Sequence, residues 1–134
     1  MSAGDRERVI TAKDLFAGDE LAGRTFRALL DKVRSVYPDT DFEVVRELVV
    51  FSTVDRPFLW VWAPARGNST YGDCPLVVSF GLCYKVPPCR YTRIVQSSDD
   101  RWIYHIGIPG PDSICDTLLT MISKAYEDKS EDCD

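Results

Sequence analysis

The first long segment of the chain has the hydrophobic spacing of an amphipathic helix. From residue 19 to residue 36, apolar residues recur at intervals of three and four, with charged residues on the other side. Asp19 stands where an N-cap residue is expected, and Pro38 follows the pattern and would end it. The apolar positions are Ala22, Phe26, Leu29, Leu30, Val33, Val36 and Tyr37. We therefore predict one helix over 19–36.

After Pro38 the pattern changes to the two-residue alternation of β-strands. Apolar runs at 42–44 and 48–51 predict two short strands or one kinked strand, and runs at 57–63, 75–82, 90–96 and 101–108 predict four more. Turn-forming residues separate them, at 66–73, 85–89 and 97–100. A final helix, capped by Asp112 or Ser113, is predicted to bury Ile114, Leu118, Met121, Ile122 and Ala125.

This order of elements predicts a single two-layer α+β domain. A helix, a meander of four to six strands and a second helix give an antiparallel sheet with the N-terminal and C-terminal helices packed on one face. The length of 134 residues suits one domain. We assign residues 1–12 to a flexible N-terminus, 13–128 to the domain and 129–134 to an acidic, disordered tail.

The two faces of the predicted sheet differ in composition. The strands at 75–82 and 101–108 each have one wholly apolar side, which we expect to meet the helices. If these strands are neighbours, the other face holds a shallow depression. Its residues are small or polar: Val77, Ser79, Gly81, Ile103, His105 and Gly107. Trp60 and Trp62 share one side of their strand, and we assign both to the core, which needs large side chains.

The formal net charge of -5 comes from the end of the chain. Residues 1–40 and 41–111 each hold seven basic and seven acidic residues, whereas 112–134 hold two and seven. Without a basic excess in the body of the protein, duplex nucleic acid is not an expected partner. No segment has the length and apolarity of a membrane span or the h-region of a signal peptide, so we expect no membrane partner and a cytoplasmic location.

The sequence contains no recognisable metal, cofactor or nucleophile motif. The five cysteines include no CxxC pair, and without a secretory signal we expect reduced thiols, although Cys83 and Cys89 could approach across their turn. Phosphate-binding glycine loops are absent, and one histidine cannot form HExxH. We therefore predict no metal, no cofactor and no catalytic residue, and enzymatic activity is not favoured.

The candidate chemistry lies in the predicted depression. His105 is the one side chain that ordinarily titrates near neutral pH, and Ser79 is the nearest hydroxyl. Lys85, Arg90 and Arg93 lie on the adjoining turns and strand, so the five residues together could bind an anion. Ser79 with His105 is also two thirds of a hydrolytic triad, but no GxSxG elbow surrounds the serine. A hydrogen-bonded structural histidine is the alternative.

Four segments resemble a small bacterial and archaeal family, domain of unknown function 5655, loosely labelled as predicted transport proteins. They are PFLWVWAP, PLVVSFGL, WIYHIGI and PDSICDTLLTMISKAYED, in that order, within about residues 20–128. The resemblance implies an α+β domain that occurs alone or as a C-terminal module, without an established activity. The family's tryptophan followed by a histidine is matched by Trp102 and His105.

Three functional hypotheses follow. The first is a binding or interaction module that contacts a small anionic ligand or a protein partner through the sheet face around His105. The second is a homodimeric structural module that pairs the same face through Val61, Val77 and Ile103. The third is an accessory module for single-stranded nucleic acid, using aromatic residues with Arg90 and Arg93.

Overall fold

In the part of the chain that the structure describes, two helices cover one face of a six-stranded antiparallel sheet. The computed structural model describes residues 15–16, 19–53, 56–64, 71, 74–83 and 92–127. The helices are α1 (Glu20–Val36) and α2 (Asp116–Glu127). The strands are β1 (Asp41–Val45), β2 (Leu48–Ser52), β3 (Pro57–Trp62), β4 (Leu76–Leu82), β5 (Thr92–Ser98) and β6 (Arg101–Ile108). The predicted α+β class and single antiparallel sheet are confirmed.

Helix α1 begins and ends where the sequence predicts. The backbone N–H of Ala22 donates to the Asp19 carboxylate at 3.1 Å, which satisfies one of the unpaired donors of the first turn. The backbone N–H of Tyr37 closes the last turn on the carbonyl of Val33, and Pro38 follows. The apolar stripe from Ala22 to Val33 is buried against the sheet, whereas Val36 at its end is exposed.

The strand order β1-β2-β3-β4-β6-β5 departs from a plain meander. Strand β4 pairs with β6 from Leu76↔Ile108 to Leu82↔Trp102, and β5 lies outside β6 at the edge of the sheet. The 75–82 and 101–108 strands are therefore neighbours, which is the condition set for the depression, whereas the predicted meander is wrong. Strand β6 is apolar enough to be central, and β5, mostly exposed, suits an edge.

The core lies between the helices and one face of the sheet. The predicted apolar sides of β4 and β6 contribute to it, as do the predicted residues of α1 from Ala22 to Val33 and those of the C-terminal helical segment. Val36 and Tyr37 do not belong to this core. The assignment of Trp60 and Trp62 to this core is wrong, because Leu59 and Val61 face the helices instead. The register places Trp60 opposite Ser79 and Trp62 opposite Val77, on the other face of the sheet.

A break in register explains how the start of β3 still reaches the core. Phe51 faces Leu59, but the next residue of β2, Ser52, faces Pro57, which leaves Phe58 as an extra residue. Such a bulge lets consecutive residues share a face, and Phe58 and Leu59 are both buried in the core. Residues 57–63 are apolar on both sides, so the sequence did not specify which side is buried.

Helix α2 begins later than predicted. Asp112 and Ser113 belong to a short 3₁₀ turn, Pro111–Ser113, and do not cap the helix. Ile114 is buried in the core with non-helical dihedral angles, so the 3₁₀ turn does not continue into the helix that begins at Asp116. The predicted terminal segments 1–12 and 129–134 lie outside the described residues. Among the described helices, none has the length and apolarity needed to cross a membrane.

Candidate functional site

The sheet face turned away from the helices, called here the open face, carries the predicted site. It alternates with the core positions along each strand. Its main residues are Glu43, Leu48, Val50, Trp60, Trp62, Val77, Ser79, Gly81, Ile103, His105, Gly107, Arg93 and Val95. Exposure rises from β4 toward the two edge strands.

The predicted depression is largely filled by other parts of the chain. A Cβ atom added to Gly107 would lie 2.8 Å from Cys74 Sγ, and one added to Gly81 would lie 2.4 Å from the Arg101 guanidinium. Both glycines are therefore covered by side chains that need the space a Cβ would occupy. Tyr71 and Cys74 also pack on Val77. The expectation of a shallow depression is therefore wrong at both glycines, and His105 lies between these two covered positions on β6 and β4.

A chain of hydrogen bonds fixes the His105 ring. Trp62 Nε1–H donates to Ser79 Oγ at 2.8 Å, and Ser79 Oγ lies 2.6 Å from His105 Nδ1. Serine and histidine face each other in the β4–β6 register, so two neighbouring strands hold the pair. In either tautomer of the neutral ring this bond occupies Nδ1, which makes Nε2 the ring nitrogen that can meet a ligand.

The surroundings of His105 favour its neutral form. Partial burial lowers the pKa of His105 below its ordinary value, and the positive charge of Arg93 lowers it further. Arg93 faces His105 directly in the β5–β6 register and is itself exposed. The imidazole is thus positioned and partly dehydrated, beside a cation at the edge of the sheet. An anion at this point would stabilise the imidazolium and so raise the pKa of His105, against the lowering by burial and by Arg93.

Three of the five predicted site residues are described, and the structure brings these three together. Ser79, His105 and Arg93 are consecutive across β4, β6 and β5. Lys85 and Arg90 lie outside the described residues, so their predicted part in the site is not addressed by the structure.

The geometry does not favour a nucleophilic Ser79. Its side chain is 7% exposed, and its oxygen already accepts a hydrogen bond from Trp62, which reduces its nucleophilicity. Within the described ranges, no group of three or more His, Cys, Asp or Glu residues is placed to hold a metal ion. The arrangement is suited to orienting an imidazole for binding.

The cysteines differ in oxidation state. Cys74, which is buried, and Cys115, which is exposed, are not disulfide-bonded. Cys83, directly after β4, is disulfide-bonded, and its partner lies outside the described residues. The expectation of reduced thiols is therefore wrong for Cys83.

Sequence reasoning missed Trp62 and the covering pair Tyr71 and Cys74. Trp62 packs edge-on against Tyr71, with ring centroids 5.7 Å apart, and edge-on against His105, at 6.2 Å. The two-residue alternation of β3 places Trp60 and Trp62 on one face, but it does not say which face. A polar indole N–H needs a partner when buried, and Ser79 on the facing strand was the available signal.

The fold and the site define a two-layer α+β domain that carries a fixed histidine on an open sheet face. A family model described as Domain of unknown function (DUF5655) matches residues 12–129, and the chain belongs to this family. The chain matches no curated protein and no solved structure.

Proposed function

We propose that the protein is a binding module that receives an anionic group, such as a carboxylate or a phosphate, between His105 Nε2 and the Arg93 guanidinium. The observation that carries the proposal is the fixed, half-buried imidazole directly opposite an exposed arginine. Hydrogen bonds between charged groups are shorter and stronger than neutral ones, and a guanidinium fits both kinds of anion.

The lowered pKa of His105 supports this proposal in a specific way. The imidazolium is disfavoured by burial and by Arg93, and a bound anion would counter both. Anion binding is therefore coupled to proton uptake: the anion raises the pKa of His105, and binding strengthens as the pH falls toward that pKa. A purely structural histidine has no reason to respond to an anion in this way.

The test is an NMR titration of the one histidine of the chain, whose ring signal needs no assignment against others. We expect inorganic phosphate to raise the pKa of His105. Arg93→Gln is expected to raise that pKa without phosphate, because the repelling charge is gone, and to weaken the phosphate response roughly tenfold, which is about 1.4 kcal/mol. An unchanged pKa with phosphate in wild-type protein, at a concentration where it is monomeric, would refute the proposal.

Arg24→Gln is the matched control. Arg24 is an exposed arginine of α1, in the layer on the far side of the sheet, and its replacement changes the net charge by the same amount. We expect this variant to keep the wild-type pKa of His105 and the wild-type phosphate response. Equal effects in both arginine variants would show that net charge, and not the site, controls the titration.

A single-stranded nucleic acid is a second candidate ligand, favoured by one observation. Trp60 is partly exposed on the open face, where a base could stack on it, with Arg93 farther along the same row. Exposed Glu43 at the other edge opposes a polyanion. Salt-sensitive binding of a short oligonucleotide that is lost in Trp60→Ala would support this candidate over a small anion.

A cytoplasmic location in a bacterial cell is part of the proposal. The exposed Cys115, which is not disulfide-bonded, supports a reducing compartment, whereas the disulfide at Cys83 is uncommon there. A reduced Cys83 in protein purified without oxidant would support a cytoplasmic location, and a disulfide at Cys83 would count against it.

A further inference from the structure

One row of residues crosses the open face from an acidic edge to a basic edge. The register pairs join one residue of each strand in this row. In order from β1 to β5 they are Glu43, Val50, Trp60, Ser79, His105 and Arg93. Glu43 and Arg93 are both exposed, and the residues between them are partly or wholly buried. The face therefore has opposite charges at its two edges and an apolar or neutral middle.

Such a row is complementary to itself under one kind of two-fold symmetry. If two open faces meet about an axis parallel to the strands, each β1 lies over the partner's β5. Glu43 then faces the partner's Arg93, and large Trp60 faces the partner's small Ser79. An axis perpendicular to the strands, in contrast, places like charges and like sizes over each other. Charge complementarity and side-chain size thus both favour the axis parallel to the strands.

We propose that the open face binds a second copy of this chain about a two-fold axis parallel to the strands, and that the partner's Glu43 supplies the carboxylate received by Arg93 and His105. The inference rests on the proposed function, because it names the anion that the site takes. A uniformly acidic partner would be repelled by Glu43, whereas a second copy satisfies both edges at once.

The covering residues limit the contact to part of the face. Tyr71 and Cys74 stand over Val77 and Gly107 at one end of β4 and β6, and the symmetry places this end over the same end of the partner. The Arg101 guanidinium covers Gly81 at the opposite end, so the sheets come closest over the central row and over β5 and β6 next to it. There, Ile103 is partly exposed and Val95 is 39% exposed, so apolar side chains are available for burial.

The experiment is a charge exchange read by light scattering over a range of protein concentrations. We expect the wild-type protein to be a dimer, Glu43→Arg and Arg93→Glu each to weaken it at least tenfold, and the double variant to restore it. Within one chain the two residues lie five strand spacings apart, about 24 Å, so restoration cannot arise inside one copy. Asp31→Arg, on the exposed side of α1, is the control and should leave the dimer intact.

Each result decides between the two proposals. A wild-type monomer at every concentration, a dimer insensitive to both single changes, or a double variant that stays dissociated would overturn the dimer. If Glu43→Arg does not fold by circular dichroism, Glu43→Gln takes its place, with a smaller weakening expected. Phosphate titration of His105 in the dissociated Glu43 variant tests the anion site without a partner. A rise in the pKa of His105 there would support the anion site even if the dimer proposal were overturned.

Discussion

At the scale of single residues, Ser79 connects the two rings of the site, those of Trp62 and His105. Its one hydroxyl accepts from Trp62 and contacts His105, so a side chain of two heavy atoms links three strands. A larger residue would not fit between the tryptophan and the imidazole, and an alanine would leave both of their nitrogens without this partner. The orientation of the histidine thus depends on a buried serine that does not itself meet a ligand.

A second buried hydroxyl, that of Thr40, shows the opposite situation. Thr40 Oγ1 is buried at the start of β1 and has no hydrogen-bond partner among the described residues. Thr40→Val keeps the shape and removes the unsatisfied group, so we expect the free energy of unfolding to rise by about 1 kcal/mol. Urea denaturation measures this change.

Thr25→Val is the control for the Thr40 prediction. Thr25 is equally buried, but its hydroxyl donates to the carbonyl of Leu21 at 2.7 Å, so the same substitution should not stabilise the protein. A loss of stability in Thr40→Val would mean that an ordered water satisfies the hydroxyl, and the prediction would be wrong.

At the scale of elements, the β1–β2 hairpin contains a strained backbone position. Arg46 has a φ angle of 57°, in the left-handed region, within the two-residue turn between Val45 and Leu48. Side chains with a Cβ atom are disfavoured there, and glycine is not. We expect Arg46→Gly to raise the free energy of unfolding by about 1 kcal/mol in thermal or urea unfolding.

The neighbouring turn residue supplies the matched control. Glu47 does not have a positive φ angle, so Glu47→Gly only increases the freedom of the unfolded chain. We expect this variant to lose stability by about 0.5–1 kcal/mol. If both glycine variants destabilise the protein to the same degree, the strain at Arg46 is not relieved by glycine.

The elements also show which features of the fold can be predicted from a sequence. Local spacing defines α1, the core side of α2, and the faces of β4 and β6, because each signal lies within one element. The positions of Trp60 and of β5 depend on contacts between distant segments: the bulge at Phe58 and the β4–β6 pairing. His105 and Ser79 follow from alternation, whereas the Trp62 bond and the cover by Cys74 arise only on packing.

At the scale of the whole molecule, the lowered pKa of His105 makes stability depend on pH. The unfolded chain has an ordinary histidine pKa of about 6.5, and the folded protein has a lower one. As the pH falls below about 6.5, the unfolded state takes up the proton first, so the free energy of unfolding decreases until the folded pKa is reached. The contribution is fully present above that window.

Urea denaturation at several pH values from about 7.5 to about 5.5 measures this dependence, in comparison with His105→Gln. The glutamine does not titrate, so its free energy of unfolding should fall less over the same range. The carboxylates titrate in both proteins and cancel in the difference. Identical pH dependence in the two proteins would contradict a lowered pKa of His105 in the folded state.

The edge-on contact between Trp62 and His105 also has an optical consequence. The two ring centroids are 6.2 Å apart, and a protonated imidazole near an indole quenches its fluorescence much more strongly than a neutral one. Because the Ser79 bond holds the imidazole in place, Trp62 emission follows the charge of His105. The protein therefore contains its own fluorescent indicator of the protonation state of His105, which needs no attached dye.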